Sequence, residues 1–143
     1  MDLFDSFKIA SSAMKAQRIR LNTISSNLAN IETTRTPEGG PYRKRAVVFQ
    51  SSETPFGQQL EQSLKGAEQG VEVTAIQVSQ EPPKMVHNPS HPDADEQGFV
   101  AMPNINLLEE MADMTSATRA YEANVTVIKS AKRMALKALE IGS

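Results

Sequence analysis

The sequence predicts a mainly α protein with a small β-containing middle, in which long N- and C-terminal helices pair as a coiled coil and short strands lie between them. Three observations lead there. Apolar residues recur at spacings of three and four through both ends, all eight prolines fall between residues 32 and 105, and within that middle only short runs are rich in β-branched residues.

The first helix is predicted over residues 3–31. Leu3, Phe7, Ala10, Met14, Leu21, Ile24, Leu28 and Ile31 share one seam, which Gln17 alone interrupts, while Ser11, Lys15 and Arg18 lie outside it. This is the a/d spacing of helices that pack at shallow angles. No Pro or Gly interrupts the stretch, so a single rod of roughly 44 Å follows from 1.5 Å per residue.

The second helix mirrors it. Leu107, Met111, Met114, Thr118, Tyr121, Val125, Ile128, Ala135 and Leu139 share a heptad seam with Lys132 as its charged break. Asn106 followed by Glu109 reads as a capping box, Lys132, Arg133 and Lys137 complement the C-terminal dipole, and Gly142 suits a helix stop. A length of roughly 52 Å is expected. Residues 1–31 and 106–143 are accordingly expected to form one coiled-coil domain around an irregular, β-containing insert, residues 32–105.

Within the insert, residues 45–50 (RAVVFQ) and 71–79 (VEVTAIQVS) suit strands. In the second, Val71 and Val73 fall on one face and Ile76 and Val78 on the other, so a bulge near Ala75 is needed to bring them to a common side. Residues 34–41 (TRTPEGGP) are dense in turn formers. Residues 80–92 (QEPPKMVHNPSHP) carry four prolines and read as loops or extended arms; residues 99–102 are strand-like. A polar, Gln-rich linker with weak helical character around 56–65 fills residues 51–70.

Aromatics make up 5% of the chain and Trp is absent, so aliphatic and Met contacts must supply a thin core. The insert is too poor in apolar residues to cover both helices. The large apolar members of the two seams are therefore expected to meet each other and copies of the same chain, with order coupled to assembly.

Charge is segregated. Net charge is +4 over residues 1–50, −9 over 51–113 and +3 over 114–143. The bases are interleaved with acids along helical pattern, which argues against a nucleic-acid partner. There is no Cys, so no disulfide framework and no thiol chemistry. Asp2 and Asp5 stand where a secretory signal would be basic, and no apolar run is long enough to span a bilayer, so neither a cleaved signal nor a membrane anchor is expected.

Catalytic motifs fail on inspection. His87 and His91 have the i, i+4 spacing of a helical metal pair, with Asp93 and Asp95 nearby, but Pro89 between them disfavours a helix. The run from Asp93 to Gly98 opens like a calcium loop, yet its fifth position is Gln97 and its twelfth Asn104, so the bidentate ligand is missing. Both His share one loop, and no Ser is set in a nucleophile's context. Gly39-Gly40 precedes Pro41 and lacks a phosphate-loop Lys. Arg43-Lys44-Arg45 beside Tyr42 is read as a strand edge guarded by cations. No catalytic, cofactor or metal site is expected.

The stretch Ser26-Asn27-Leu28-Ala29-Asn30-Ile31-Glu32-Thr33 resembles the S-N-L-A-N-x-x-T signature of the flagellar axial family of rod, hook and hook-associated proteins. Thr36 with Pro37, Glu38, Gly39, Gly40, Pro41, Tyr42 and Arg43, and then Val47-Val48-Phe49, is similar to the proximal rod type within it. So are His91-Pro92-Asp93-Ala94-Asp95, Gly98-Phe99-Val100-Ala101-Met102-Pro103-Asn104 and the stretch from Ser116 to Asn124. Together these motifs cover nearly the whole chain except residues 51–70.

The resemblance implies a non-enzymatic subunit of the periplasmic rod that transmits torque, exported through the flagellar type III apparatus without a cleaved signal. Its partners would be copies of itself, other rod proteins, and the adaptor and membrane ring at the rod base. Asn27 and Asn30 are expected to cap or brace the turn after the first helix. A soluble coiled-coil adaptor or secretion chaperone would share the amphipathic ends but would not need the signature or the acidic, Pro-rich insert.

Overall fold

The computed structural model describes residues 3–51 and 70–141, and the side chains from Asp5 onward. Among the described residues six elements follow in order: helix α1 (Leu3–Ala29), strands β1 (Arg45–Ser51), β2 (Val71–Val78), β3 (Lys84–His87) and β4 (Phe99–Met102), and helix α2 (Leu107–Ile141). The expected linker over 51–70 and the helix stop at Gly142 lie outside the described residues, but for Ser51, which closes β1, and Gly70.

The two helices pack along each other. Their direction is antiparallel, because Arg20 pairs with Asp113 while Asn27, two turns further along α1, reaches back to Glu110. Small residues dominate the contact: among the described residues the buried aliphatic ones are Ala10, Ala16, Ile24, Ala117 and Ala131 on the helices and Val100 on β4. Alanine lets helix axes approach closely, at a cost in buried area. The core is thin, as the composition implies.

Along the expected first seam, Ala10 and Ile24 are buried and Phe7, Met14, Leu21 and Leu28 are half-buried, as is Ile31 in the turn beyond α1, while the Leu3 side chain lies outside the described residues. On α2 the buried face is turned roughly 70° from the expected stripe, at 100° per residue. Glu110, Ala117 and Ala131 are buried and Asn124 half-buried at seven-residue intervals, flanked by the half-buried Met114, Tyr121, Ile128 and Ala135. Val125 is half-buried, whereas Leu107, Met111, Thr118, Lys132 and Leu139 stand exposed. Close approach selects the line of small residues over the line of larger ones.

Asn106 caps α2, its Oδ1 accepting from the Leu108 and Glu109 amides at 3.0 and 3.5 Å. No base lies in the last described turn, so Lys132, Arg133 and Lys137 sit where the dipole effect has faded.

β1 and β2 form an antiparallel hairpin that rests on α1. Val48 pairs Ala75 and Phe49 pairs Val73, which leaves Thr74 as the extra residue of a bulge. Through it Val71, Val73, Ile76 and Val78 all lie opposite alternate residues of β1 and share one face. β3 and β4 form a second, shorter hairpin. β3 lies inside the stretch read as loop or arm, since four residues between prolines carry too little pattern to be recognised. There Gly98 adopts φ +80°, and a Cβ on it would come within 2.9 Å of the Pro89 ring, so only glycine fits.

Candidate functional site

The N-terminal helix, the insert and the C-terminal helix meet at one buried polar joint, and its centre is Asn27, 1% exposed. α1 delivers this side chain from its last two turns, one heptad beyond Arg20, to the start of β1 and the first turn of α2. The amide Nδ2 donates to the Arg45 carbonyl at 2.8 Å and to Glu110 Oε2 at 3.0 Å. Oδ1 accepts from the Arg45 amide at 2.9 Å and from the Tyr42 hydroxyl at 3.1 Å. Two donor and two acceptor places are all a primary amide has, so Asn27 is saturated. Its two bonds to Arg45 imitate a strand partner on one edge of β1, in a register where Arg45 also pairs with Val78 of β2.

Glu110 is the other half of the joint, also 1% exposed. Its Oε1 stands 2.9 Å from Lys44 Nζ, which also reaches Glu109 at 3.4 Å. A carboxylate buried this deeply is tolerated only when paired and hydrogen-bonded. Glu110 has both. The hydrogen bond to Glu110, outweighing desolvation, raises the Lys44 pKa above its ordinary value. Burial raises that of Tyr42, against the opposing pull of Arg45, whose guanidinium lies 5.6 Å over its ring.

The other signature residues act locally. Asn30 Nδ2 donates to the Ser26 carbonyl at 2.8 Å and its Oδ1 accepts from Thr33, bracing the turn that follows α1. Asn27 does not brace that turn, because its four partners lie elsewhere. Ser26 bonds back to Asn22, while half-buried Leu28 and exposed Ala29 continue the helix. The loop after it is closed by Tyr42 N to Thr33 O and Thr36 N to Gly40 O, with Gly39 and Gly40 at positive φ. Pro41 is half-buried in this loop and Arg43 extends to Gln80 at 3.5 Å.

Lys44 is a corrected reading: it is no edge guard but an internal ion-pair partner. Sequence reasoning also passed over Glu110, which stands three residues after Leu107 and four before Met114, and so on the helix-facing side. That placement of a carboxylate was the available signal.

The His and Asp residues weighed as metal ligands are committed to other bonds. The His87 ring packs edge-on against Phe99, 5.1 Å between centroids, and His91 Nδ1 accepts from the Asp93 amide. Asp93 accepts from the Thr34 hydroxyl and pairs with Arg35; the hydroxyl bond is the main cause of its lowered pKa. Asp95 Oδ1 accepts from the Gln97 and Phe99 amides and shapes the β4 approach. No described helix is long and apolar enough to cross a membrane.

Comparison with known proteins agrees with this anatomy. Residues 7–35 match the family described as flagella basal body rod protein, and residues 96–141 the family described as flagellar basal body rod FlgEFG protein C-terminal. The chain is 46% identical to the flagellar basal-body rod protein FlgC of Borreliella burgdorferi, over 99% of this chain and 98% of that one. It is 42% identical to the Bacillus subtilis FlgC and 44% to that of Salmonella typhimurium, each over 99% of both chains. The N-terminal match contains Asn27 and the C-terminal match contains Glu110, so the joint ties the two matched segments together. Similar along its whole length to these proteins, the chain belongs to the FlgC family of flagellar basal-body rod proteins.

Proposed function

We propose that this protein is a structural, non-catalytic subunit of the flagellar basal-body rod, polymerising through its terminal helices into part of the periplasmic shaft that transmits torque. The observation that carries the geometric part is its incomplete core. Among the described residues, four of the six buried apolar residues are alanines, while thirteen large hydrophobic residues are exposed. Such a chain completes its core with neighbours. Leu107, Met111 and Leu139 of the C-terminal seam are among the exposed residues.

In this reading residues 1–31 and 106–143 act as one helical unit, pairing as a coiled coil with copies of the chain and with other rod proteins. The adaptor and membrane ring at the rod base are its further neighbours, and residues 32–105 face outward. Export through the flagellar type III apparatus without a cleaved signal fits a chain that has no Cys. The joint holds the outward insert to the helices, so that load on one reaches the other through bonds rather than a flexible linker.

The test is genetic and biochemical. Cells deleted for the gene should lose swimming, regain it with the full chain, and yield the chain in purified basal bodies; a chain lacking residues 106–143 should do neither. Complete basal bodies in the deletion strain, or a chain confined to the cytosol of swimming cells, would refute the proposal. The adaptor or chaperone reading predicts the second pattern.

A further inference from the structure

We infer that the outer edge of β2 is a docking surface for an extended peptide segment of another protein, which adds as a third strand with its acidic end over Arg43 and Arg45. The surface lies on the insert and not on the helices, so it goes beyond the rod-subunit reading and does not rest on it.

Backbone direction shows what this edge offers. The Arg45 amide and carbonyl both bond to Asn27, whereas the Lys44 carbonyl accepts from the Ser79 amide at 2.8 Å. Arg45 therefore turns its backbone away from β2, and its cross-strand partner Val78 turns its own away from β1. The alternation repeats two residues on, at Val47 and Ile76. Among the described residues nothing bonds to the Ile76 amide or carbonyl on that outer side. The Val78 carbonyl has only a long 3.4 Å bond from the Gln80 side chain, and at the other end of the strand the Val71 amide donates to the Ser12 hydroxyl.

The edge is also apolar and unguarded. Ile76 is 52% and Val78 44% exposed, on the face they share with Arg45 and Val47. Edge strands are ordinarily blunted by Pro, Lys or a bulge. Residues 71–78 contain neither Pro nor Lys, and the bulge at Thr74 leaves the stretch beyond it in regular register. Arg45 is not needed to guard its own edge of β1, because Asn27 already closes it there.

Charge selects the occupant. A cleft of about 290 Å³ runs up to Val78, lined by Arg35, Tyr42, Arg43 and Arg45, with Glu38 as its one carboxylate. Arg35 is taken by Asp93, but neither Arg43 nor Arg45 has a carboxylate partner among the described residues. Arg43 reaches the Gln80 side-chain oxygen at 3.5 Å, which brings it to the exit of β2, and Arg45 is held over the Tyr42 ring. Both guanidinium groups keep donors for an incoming carboxylate. A strand added antiparallel to β2 begins beside Val78, so its acidic residues come first and apolar ones follow at alternate positions.

The probe is an acetylated seven-residue peptide of two Glu followed by alternating Val and Thr, added to the dilute full chain and followed by amide hydrogen exchange. The Ile76 and Val78 amides should exchange more slowly with the peptide present, and replacing its two Glu by Lys should weaken binding about tenfold or more. Arg43→Gln combined with Arg45→Gln should weaken the Glu peptide to a similar degree and leave the Lys peptide unaffected. Ile76→Pro removes an outward amide but no ladder bond, and should abolish binding while the Ala46 and Gln77 amides stay protected; if that protection is lost, the arginine pair decides. Equal binding of the two peptides, or binding that leaves Ile76 and Val78 exchange unchanged, overturns the inference. A seven-residue polyglutamate that binds as tightly as the probe would reveal an anion site open to acidic glycans as well, and overturns strand addition.

Discussion

The two ends of the helix pair are built on opposite principles. At the joint, Asn27, Tyr42, Lys44 and Glu110 are held by directional bonds, and the buried amide and carboxylate find their partners inside the chain. At the far end, contacts are alanines followed by bare Met134, Leu136, Leu139 and Ile141. The polar groups of the joint are satisfied within the monomer, whereas apolar surface is left bare at the far end and, in Leu107, Leu108 and Met111, beside the joint as well. Hydrogen bonds specify geometry and tolerate no substitute, whereas apolar surface accepts whatever complementary surface arrives. A subunit that must have a fixed shape and still polymerise can divide the two tasks in this way.

The largest effect is expected at Glu110. Glu110→Ala leaves Lys44 and the Asn27 amide facing an apolar gap, and should cost about 3–5 kcal/mol, the range for removing one partner of a buried ion pair. Urea unfolding of the dilute chain would measure it. Next, Asn27→Ala should cost about 2–3 kcal/mol by orphaning buried groups. Asn30→Ala, confined to a half-buried turn, should cost under about 1 kcal/mol by the same measurement. Equal losses at the two asparagines would deny the joint its special standing.

Titration sharpens the same contrast. The Tyr42 and Lys44 pKa values are raised above the ordinary 10.0 and 10.5, so the folded state holds these protons after the unfolded chain has released them. Their contribution is complete below the ordinary values and is lost as pH rises through the raised ones. Stability followed at roughly pH 9 to 11 should therefore fall, and Tyr42→Phe should make the fall shallower.

Between the two ends lies Gln17, whose Oε1 is buried and has no hydrogen-bond partner among the described residues. Gln17→Met should raise unfolding free energy by about 1 kcal/mol, since it removes an unpaired polar atom at nearly constant volume. The smallest effect belongs to the tip: Leu139→Ser, 71% exposed in the wild type, should change dilute-monomer stability by no more than about 0.5 kcal/mol. A large loss there would mean that the tip is part of the monomer's own core.

Much of the architecture was legible because periodicity is a local property. Both helices, the strands beginning at Arg45 and Val71, the bulge beside Ala75 and the strand at Phe99 follow from spacing. The exceptions share a cause. β3 is four residues long and flanked by prolines, so tertiary pairing with β4 decides it. On α2 the residues buried against the rest of the chain include Ala117 and Ala131 rather than the larger apolar ones, because close approach favours small side chains. Asn27 was picked out through its motif, but its role was not legible: its acceptor on α2 lies 83 residues away, and nothing in the local pattern of either residue announces the other. Lys44 was read with its charged neighbours, although only its partner distinguishes it from them.

Because a single asparagine grips both Arg45, where the insert's first strand begins, and Glu110, just after its last, the insert is closed at its neck. Closing a loop costs only about 0.6 kcal/mol more for each doubling of its length. A longer chain between β1 and β2 is therefore expected to leave the bonds of the neck, and the helices they join, unchanged. In engineering terms Asn27 marks a socket: what is plugged in between Ser51 and Val71 can change while the fitting stays the same.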